Sequence, residues 1–160
     1  MYKNFSNEPC RGCATPIVRA TGYGLSETVD EYLKRCREEL LLLVQVESPA
    51  GVEAIPEIAE VGGVDGIFLG PFDMSASLGK MGDFEDAEVS ELIERAERMV
   101  RETGRVLAGF RPPGRTLDEM FHERGYGLVV GSVDLTMLRE SARKDAAEGE
   151  TAIKGNKSGK

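Results

Sequence analysis

Four times between residues 41 and 147, a short apolar run gives way to a stretch with helical spacing. The runs are residues 41–46, 64–69, 105–110 and 127–131. Each is near-continuous in Val, Ile, Leu or Phe, the pattern of a strand in a parallel sheet. The stretches between them place apolar residues three and four apart, as in Val89, Leu92, Ile93, Ala96, Met99 and Val100 of a helix over 86–103. Other helices are expected at 50–61, broken near Pro56, at 74–78, at 116–125 with Gly125 as its end, and at 134–147. A further helix over 26–39, capped by Ser26, precedes the first strand. Four βα units joined by right-handed crossovers define an α/β fold with a parallel sheet. Such a sheet is either a small open one or half of a (β/α)₈ barrel. A complete barrel takes about 250 residues and this chain has 160.

The flanks differ from this core. Residues 1–25 read as an irregular leader broken by Pro9, Gly12, Pro16, Gly22 and Gly24. Residues 148–160, charged and small, read as a disordered tail, leaving 26–147 as the folded unit. With a net charge of −8, bulk electrostatics argue against nucleic acid or an anionic membrane as partner. No apolar run approaches the ~20 residues of a membrane helix, and the start of the chain is too polar for a signal peptide, so a cytoplasmic protein is expected. Cys10 and Cys13 form a C-x-x-C with neither a preceding strand nor a second ligand pair, and with Cys36 they read as reduced thiols.

Chemistry in parallel α/β proteins sits at the carboxyl ends of strands, and two acidic residues lie there. Glu47 follows the first strand, with Gln45 on the same face of that strand. Asp73 follows the second strand in Gly70-Pro-Phe-Asp73, where it also has the position of a helix N-cap. Taken alone, Glu47 reads sooner as the exposed last residue of its strand than as a ligand. As a pair, two carboxylates with open positions suit Mg²⁺, which keeps water and substrate oxygens around it. Arg11, Arg19 and Asp134 are weaker candidates, and His122, in a helix away from the strand ends, is not expected to act in catalysis. The serines of 74–77 lack a histidine partner and are poor nucleophile candidates.

Two strings are more specific than any of these positions. Val44-Gln-Val-Glu47-Ser-Pro-Ala-Gly and Gly66-Ile-Phe-Leu-Gly-Pro-Phe-Asp73-Met-Ser-Ala-Ser resemble the HpcH/HpaI aldolase/citrate lyase family. Its members are class II 2-oxo-acid aldolases of the 4-hydroxy-2-oxo-heptane-1,7-dioate aldolase kind, with macrophomate synthase as a relative. The resemblance covers residues 10–147 and implies about four βα units of a pyruvate-type (β/α)₈ barrel, its C-terminal half. It implies a metal-dependent carbon–carbon lyase that releases pyruvate and an aldehyde from 4-hydroxy-2-oxo acids. Glu47 and Asp73 would bind Mg²⁺, or Mn²⁺ or Co²⁺; Gln45, Phe72 and Asp73 would contact the oxo acid; the protein would be a homo-oligomer. The metal acts in that chemistry as a Lewis acid toward the pyruvate enolate.

The departures are specific as well. The family's histidine base and enolate-stabilising arginine belong to the part of its pattern before residue 1, and His122 matches neither. Phe72 stands where the family has a small residue, and Phe110-Arg-Pro-Pro-Gly114 replaces small and apolar ones. The expectation is therefore a truncated lyase, with a non-catalytic module that binds metal and oxo acid as the alternative.

Overall fold

A computed structural model of the chain describes residues 17–155. A 3₁₀ turn at Arg19–Gly24 leads into α1 (Val29–Glu39). The cap of α1 is Thr28, not Ser26. Thr28 Oγ1 accepts from the Glu31 amide at 3.3 Å and Glu31 Oε2 accepts from the Thr28 amide at 2.8 Å, a reciprocal box that Ser26 lacks the spacing to make. The Ser26 hydroxyl donates instead to the Thr21 carbonyl. Cys10, Arg11 and Cys13 lie outside the described residues.

Four parallel strands follow, β1 (Leu43–Val46), β2 (Gly66–Leu69), β3 (Val106–Phe110) and β4 (Leu128–Val130), hydrogen-bonded in chain order. Their register sets residues in rows. Val46, Leu69, Gly109 and Val129 form one row; Gln45, Phe68, Ala108 and Leu128 form the next. Alternation sends adjacent rows to opposite faces. The first row meets the helices α2 (Pro49–Glu53), α3 (Ile55–Glu60), α4 (Pro71–Ser77) and α5 (Ala87–Thr103). There Val46, Ile67, Leu69 and Leu107 pack with Val52, Ile55, Met74, Val89, Ile93 and Val100 in one cluster. Each such side chain stabilises the fold by about 1.5–3 kcal/mol when fully buried. The row of Gln45 carries no member of that cluster, and Gln45 itself is exposed. The strand over 41–46, expected to be covered on both faces, is covered on one among the described residues, and begins at Leu43.

The helices follow their local signals closely. Asp86 caps α5, accepting from the amides of Glu88 (2.9 Å) and Val89 (3.3 Å). Gly104, with φ 71°, ends it in the left-handed conformation that glycine adopts without strain. The stretch over 50–61 divides at Ala54, two residues before Pro56, which sits in the first turn of α3 where a missing amide is harmless. Residues 116–125 do not form a regular α-helix: Glu119–Glu123 is a π-turn, with the Arg124 amide donating to the Glu119 carbonyl at 3.0 Å. The wider turn keeps Met120 in the core at 1 % exposure. The last helix, α6 (Asp134–Gly155), runs well past residue 147. Thr151 donates to the Ala147 carbonyl at 2.8 Å and Lys154 pairs with Glu150 at 3.4 Å, so residues first read as tail extend the helix. Among the described residues no helix is long and apolar enough to cross a membrane.

Candidate functional site at the strand ends

The ends of β1 and β2 meet over a glycine. The Gly70 amide donates to the Val46 carbonyl at 3.0 Å, carrying the ladder one residue past β2. A methyl group on Gly70 would lie 2.8 Å from Cγ and 3.0 Å from Oε1 of Glu47, and 3.4 Å from Nε2 of Gln45. Both side chains therefore lie across the bare backbone of residue 70, a close approach only glycine permits. Gln45 Nε2 donates to Glu47 Oε1, so the amide fixes the carboxylate's orientation.

Immediately after Gly70 the chain turns into α4. Gly70 is its N-cap and Pro71 occupies the first turn. Asp73 sits in that first turn and makes no side-chain capping bond, unlike the cap expected there. Its carboxylate is exposed. The helix is anchored from behind by Ser75, fully buried, whose hydroxyl donates to the Phe72 carbonyl (2.6 Å) and accepts from the Gly82 amide (2.8 Å). Ser77 likewise donates to the Met74 carbonyl, so both hydroxyls are engaged by backbone. Phe72, 54 % exposed, meets Phe84 edge-on at 5.5 Å.

Gln45, Phe72, Asp73, Phe84, Phe110 and Arg111 line a pocket of about 120 Å³ at this end of the sheet. Three of the residues singled out in the sequence thus share one pocket. Glu47 is not part of its wall; it stands beside Gln45 across Gly70. Among the described residues no group of three or more His, Cys, Asp or Glu could hold a metal ion. The donor set on offer is a pair of carboxylates, which suits a hard cation that retains several non-protein ligands. His122 is exposed and 3.6 Å from Asp118 on the same helical segment. Arg19 is exposed, Cys36 is buried and free, and Asp134 is the first residue of α6.

One polar cluster was not anticipated. Glu97, 4 % exposed, accepts from the Tyr126 hydroxyl (2.8 Å) and from Arg124 Nε (2.9 Å) inside the helical layer. Burial pushes the Tyr126 phenol well above its usual range, and the Glu97 charge pushes it further. Burial, the largest single influence, would lower the Arg124 guanidinium, but the hydrogen bond to Glu97 together with the charges of Glu97, Tyr126 and Glu94 leaves it raised. The signal in the sequence was a glutamate beside Ile93, Ala96 and Val100 on the apolar stripe of α5.

A parallel α/β layer with its acidic residues at the strand ends defines the class of protein, and comparison with known proteins narrows it. The model of the HpcH/HpaI aldolase/citrate lyase family matches residues 6–143, and the chain belongs to that family. A hydroxypyruvate/pyruvate aldolase of Roseovarius nubinhibens is 35 % identical over 141 residues, 88 % of this chain and 53 % of the relative. A 4-hydroxy-2-oxo-heptane-1,7-dioate aldolase of Escherichia coli is 33 % identical over 137 residues, 86 % of this chain and 51 % of the relative. The crystal structure of an HpcH/HpaI aldolase/citrate lyase family protein from Burkholderia cenocepacia J2315 superposes with a TM-score of 0.73 at 33 % identity, covering 88 % of this chain and 52 % of that one. Macrophomate synthase, at 20 % identity, shares the fold with a TM-score of 0.66 over 81 % of this chain and 45 % of its own. The chain spans about half the length of the curated relatives it matches.

Proposed function

We propose that this chain supplies the metal- and oxo-acid-binding half of a class II aldolase, a carbon–carbon lyase that releases pyruvate and an aldehyde from 4-hydroxy-2-oxo acids. The observation that carries the reading is the meeting of Gln45 and Glu47 across Gly70, with Asp73 in the first turn of the helix that this glycine caps, in a chain of this family. The consecutive strand order, with the packed helices on one face, suits four units of a (β/α)₈ barrel whose inward face is the row of Gln45.

In this reading Glu47 and Asp73 hold the divalent cation, Mg²⁺ or its Mn²⁺ or Co²⁺ equivalents. When bound, the cation supplies Lewis-acid polarisation of the oxo acid. Gln45 keeps the Glu47 carboxylate turned toward the strand ends. The first-turn amides of Phe72 and Asp73, which have no acceptor within α4, donate to the oxo-acid carboxylate. Phe72 forms the apolar wall beside it. The exposed Leu135, Met137 and Leu138 of α6 support assembly into a homo-oligomer.

A second reading rests on one observation. His122 lies away from the pocket, and no histidine lines it. A module that binds metal and oxo acid without turnover would need none. Relatives bearing aldolase names favour the lyase. The test is pyruvate release from a 4-hydroxy-2-oxo acid with Mg²⁺ or Mn²⁺, with chelator as control, alongside Mn²⁺ binding by calorimetry. Metal-dependent turnover supports the lyase, and metal binding without turnover supports the module. If Mn²⁺ does not bind, or binds equally well to Asp73→Asn, the site is misassigned.

A further inference from the structure

The two serines of α4 use their hydroxyls differently. Exposed Ser77 donates to the Met74 carbonyl three residues back, a bond within its own helix. Ser75, at 0 % exposure, also donates three residues back, to the Phe72 carbonyl at 2.6 Å, but it accepts as well. Its donor is the Gly82 amide at 2.8 Å, seven residues on and outside the helix. The stability of α4 alone does not require this second bond.

The loop that Ser75 holds is the floor beneath Phe72. Gly82 has a φ of 78°, and a methyl group there would lie 3.3 Å from Cζ and 3.6 Å from Cε1 of the Phe72 ring. The ring therefore rests on bare backbone, which only glycine offers in this conformation. The loop is fixed at further points. The Lys80 amide donates to the Ser75 carbonyl at 2.9 Å. The Lys80 ammonium reaches Asp86 and Glu88 at the start of α5, 2.7 Å from each. Phe84, at the far end of the loop, meets the Phe72 ring edge-on. Phe72 itself is 54 % exposed, so burial does little to hold it. Its place depends on what lies under and beside the ring.

We propose that Ser75 is a positioning residue that acts through Phe72. By tying Gly82 under the ring, it sets how close the aromatic wall stands to an oxo acid at Asp73. The wall in turn limits the substituent on the carbon next to the oxo group. This rests on the reading above, in which Phe72 and Asp73 flank the oxo acid. The two residues are adjacent in the chain and line one pocket, so a shift of the ring is felt beside the carboxylate. Without its floor the ring swings toward solvent and makes room for a bulkier acid. A fixed wall discriminates against one extra methyl group by about tenfold or more.

The experiment has two arms, both on the full chain in Mg²⁺ buffer. Without ligand, NMR should show a nuclear Overhauser contact between the Phe72 ring and the Gly82 α-protons in wild type, lost or weakened in Ser75→Ala. With ligand, titration compares pyruvate with 2-oxobutanoate. Wild type binds pyruvate about tenfold more tightly, Ser75→Ala cuts that preference to about threefold or less, and Phe72→Ala abolishes it. Adding Ser75→Ala to Phe72→Ala changes the ratio no further, because the two act as one unit. A role in stability alone would leave the wild-type preference intact in Ser75→Ala. Ser75→Cys fills the same space with a weaker acceptor, so it moves both readouts in the same direction and serves where the alanine variant does not fold. A persistent ring contact in Ser75→Ala, an undiminished preference, or equal binding of both acids by wild type overturns the proposal. If wild type binds neither acid, the oxo-acid reading fails by itself, and the ring contact still decides whether Ser75 holds Phe72.

Discussion

The two faces of this sheet are one residue apart in sequence and unlike in every other respect. On the face that carries Val46, Leu69 and Leu107, all three at 2 % exposure or less, helices α2–α5 exclude water. On the face of Gln45, Phe68 and Phe110, an amide and two rings stand partly in solvent. The first face resembles any α/β core. The second has a carboxylate pinned over a glycine and a pocket whose wall includes Asp73 and Arg111. The covered face supplies the stability that lets the open face hold groups contributing little to it.

That division can be tested by ranking substitutions on one stability scale. The largest effect is expected inside the covered layer at Glu97. Glu97→Ala strands Arg124 and the Tyr126 hydroxyl, and removing one partner of a buried pair costs about 3–5 kcal/mol. Urea denaturation measures it, and a loss below about 1 kcal/mol would mean the cluster is solvated in solution. Next comes the neighbouring pair at 67 and 68. Ile67, at 0 % exposure, should lose about 2–5 kcal/mol on truncation to Ala. Phe68, partly exposed on the other face, should lose clearly less despite its larger ring. Equal losses would show that the open face is covered in solution by another part of the protein or a second copy.

The Tyr126 cluster also has a pH signature. Its folded pKa is raised above the usual value near 10, so the unfolded chain loses the phenolic proton first as pH rises. The stability it contributes is present below that value and falls above it, by at most about 1.4 kcal/mol per pH unit. Tyr126→Phe should flatten that alkaline fall. A fall of unchanged slope in the variant would assign it to other groups.

The smallest stability effects belong to the open face, where the functional effects should be greatest. Gly70→Ala puts a methyl 2.8 Å from Glu47 Cγ, at a φ of −103° that alanine adopts freely. Glu47 must swing aside, so Mn²⁺ affinity should drop about tenfold while stability changes by less than about 1 kcal/mol. An unchanged Mn²⁺ affinity would remove Glu47 from the cation site. Asp73→Asn, at an exposed position without a capping bond, should alter stability by less than about 0.5 kcal/mol and abolish Mn²⁺ binding.

Much of this was legible along the chain. Each of the four strands falls within its apolar run, and α5 ends at Thr103, where its apolar pattern placed the end. Boundaries that failed did so for local reasons. Thr28 outcompetes Ser26 because it has a glutamate three residues on. Asp73 does not cap α4 because the cap falls three residues earlier, at Gly70. Residues 148–155 stay helical through side-chain bonds reaching back one turn. The candidate residues Gln45, Glu47, Phe72 and Asp73 were found from their position after strands and from two family strings. The Glu97 cluster was not: a glutamate on the apolar stripe of α5 marks Glu97, but nothing local points to Arg124 and Tyr126, 27 and 29 residues further on.

What the sequence by itself determined are properties with short range: helical period, strand alternation, glycine and aspartate at element ends, and acidic residues where strands stop. These depend on neighbours within a turn or a pleat, and local sterics and hydrogen bonding decide them. What only the tertiary structure decided are relations between distant segments. The lateral register of β1 on β2 lays Glu47 and Gln45 over Gly70. The packing of α5 under the loop after β3 buries Glu97 with residues 27 and 29 positions away. The ladder from Arg111 to Val130 roots the arginine at the pocket. Such pairings are fixed by closing the core around Ile67 and Leu69, a cooperative event to which every packed segment contributes and which none specifies alone.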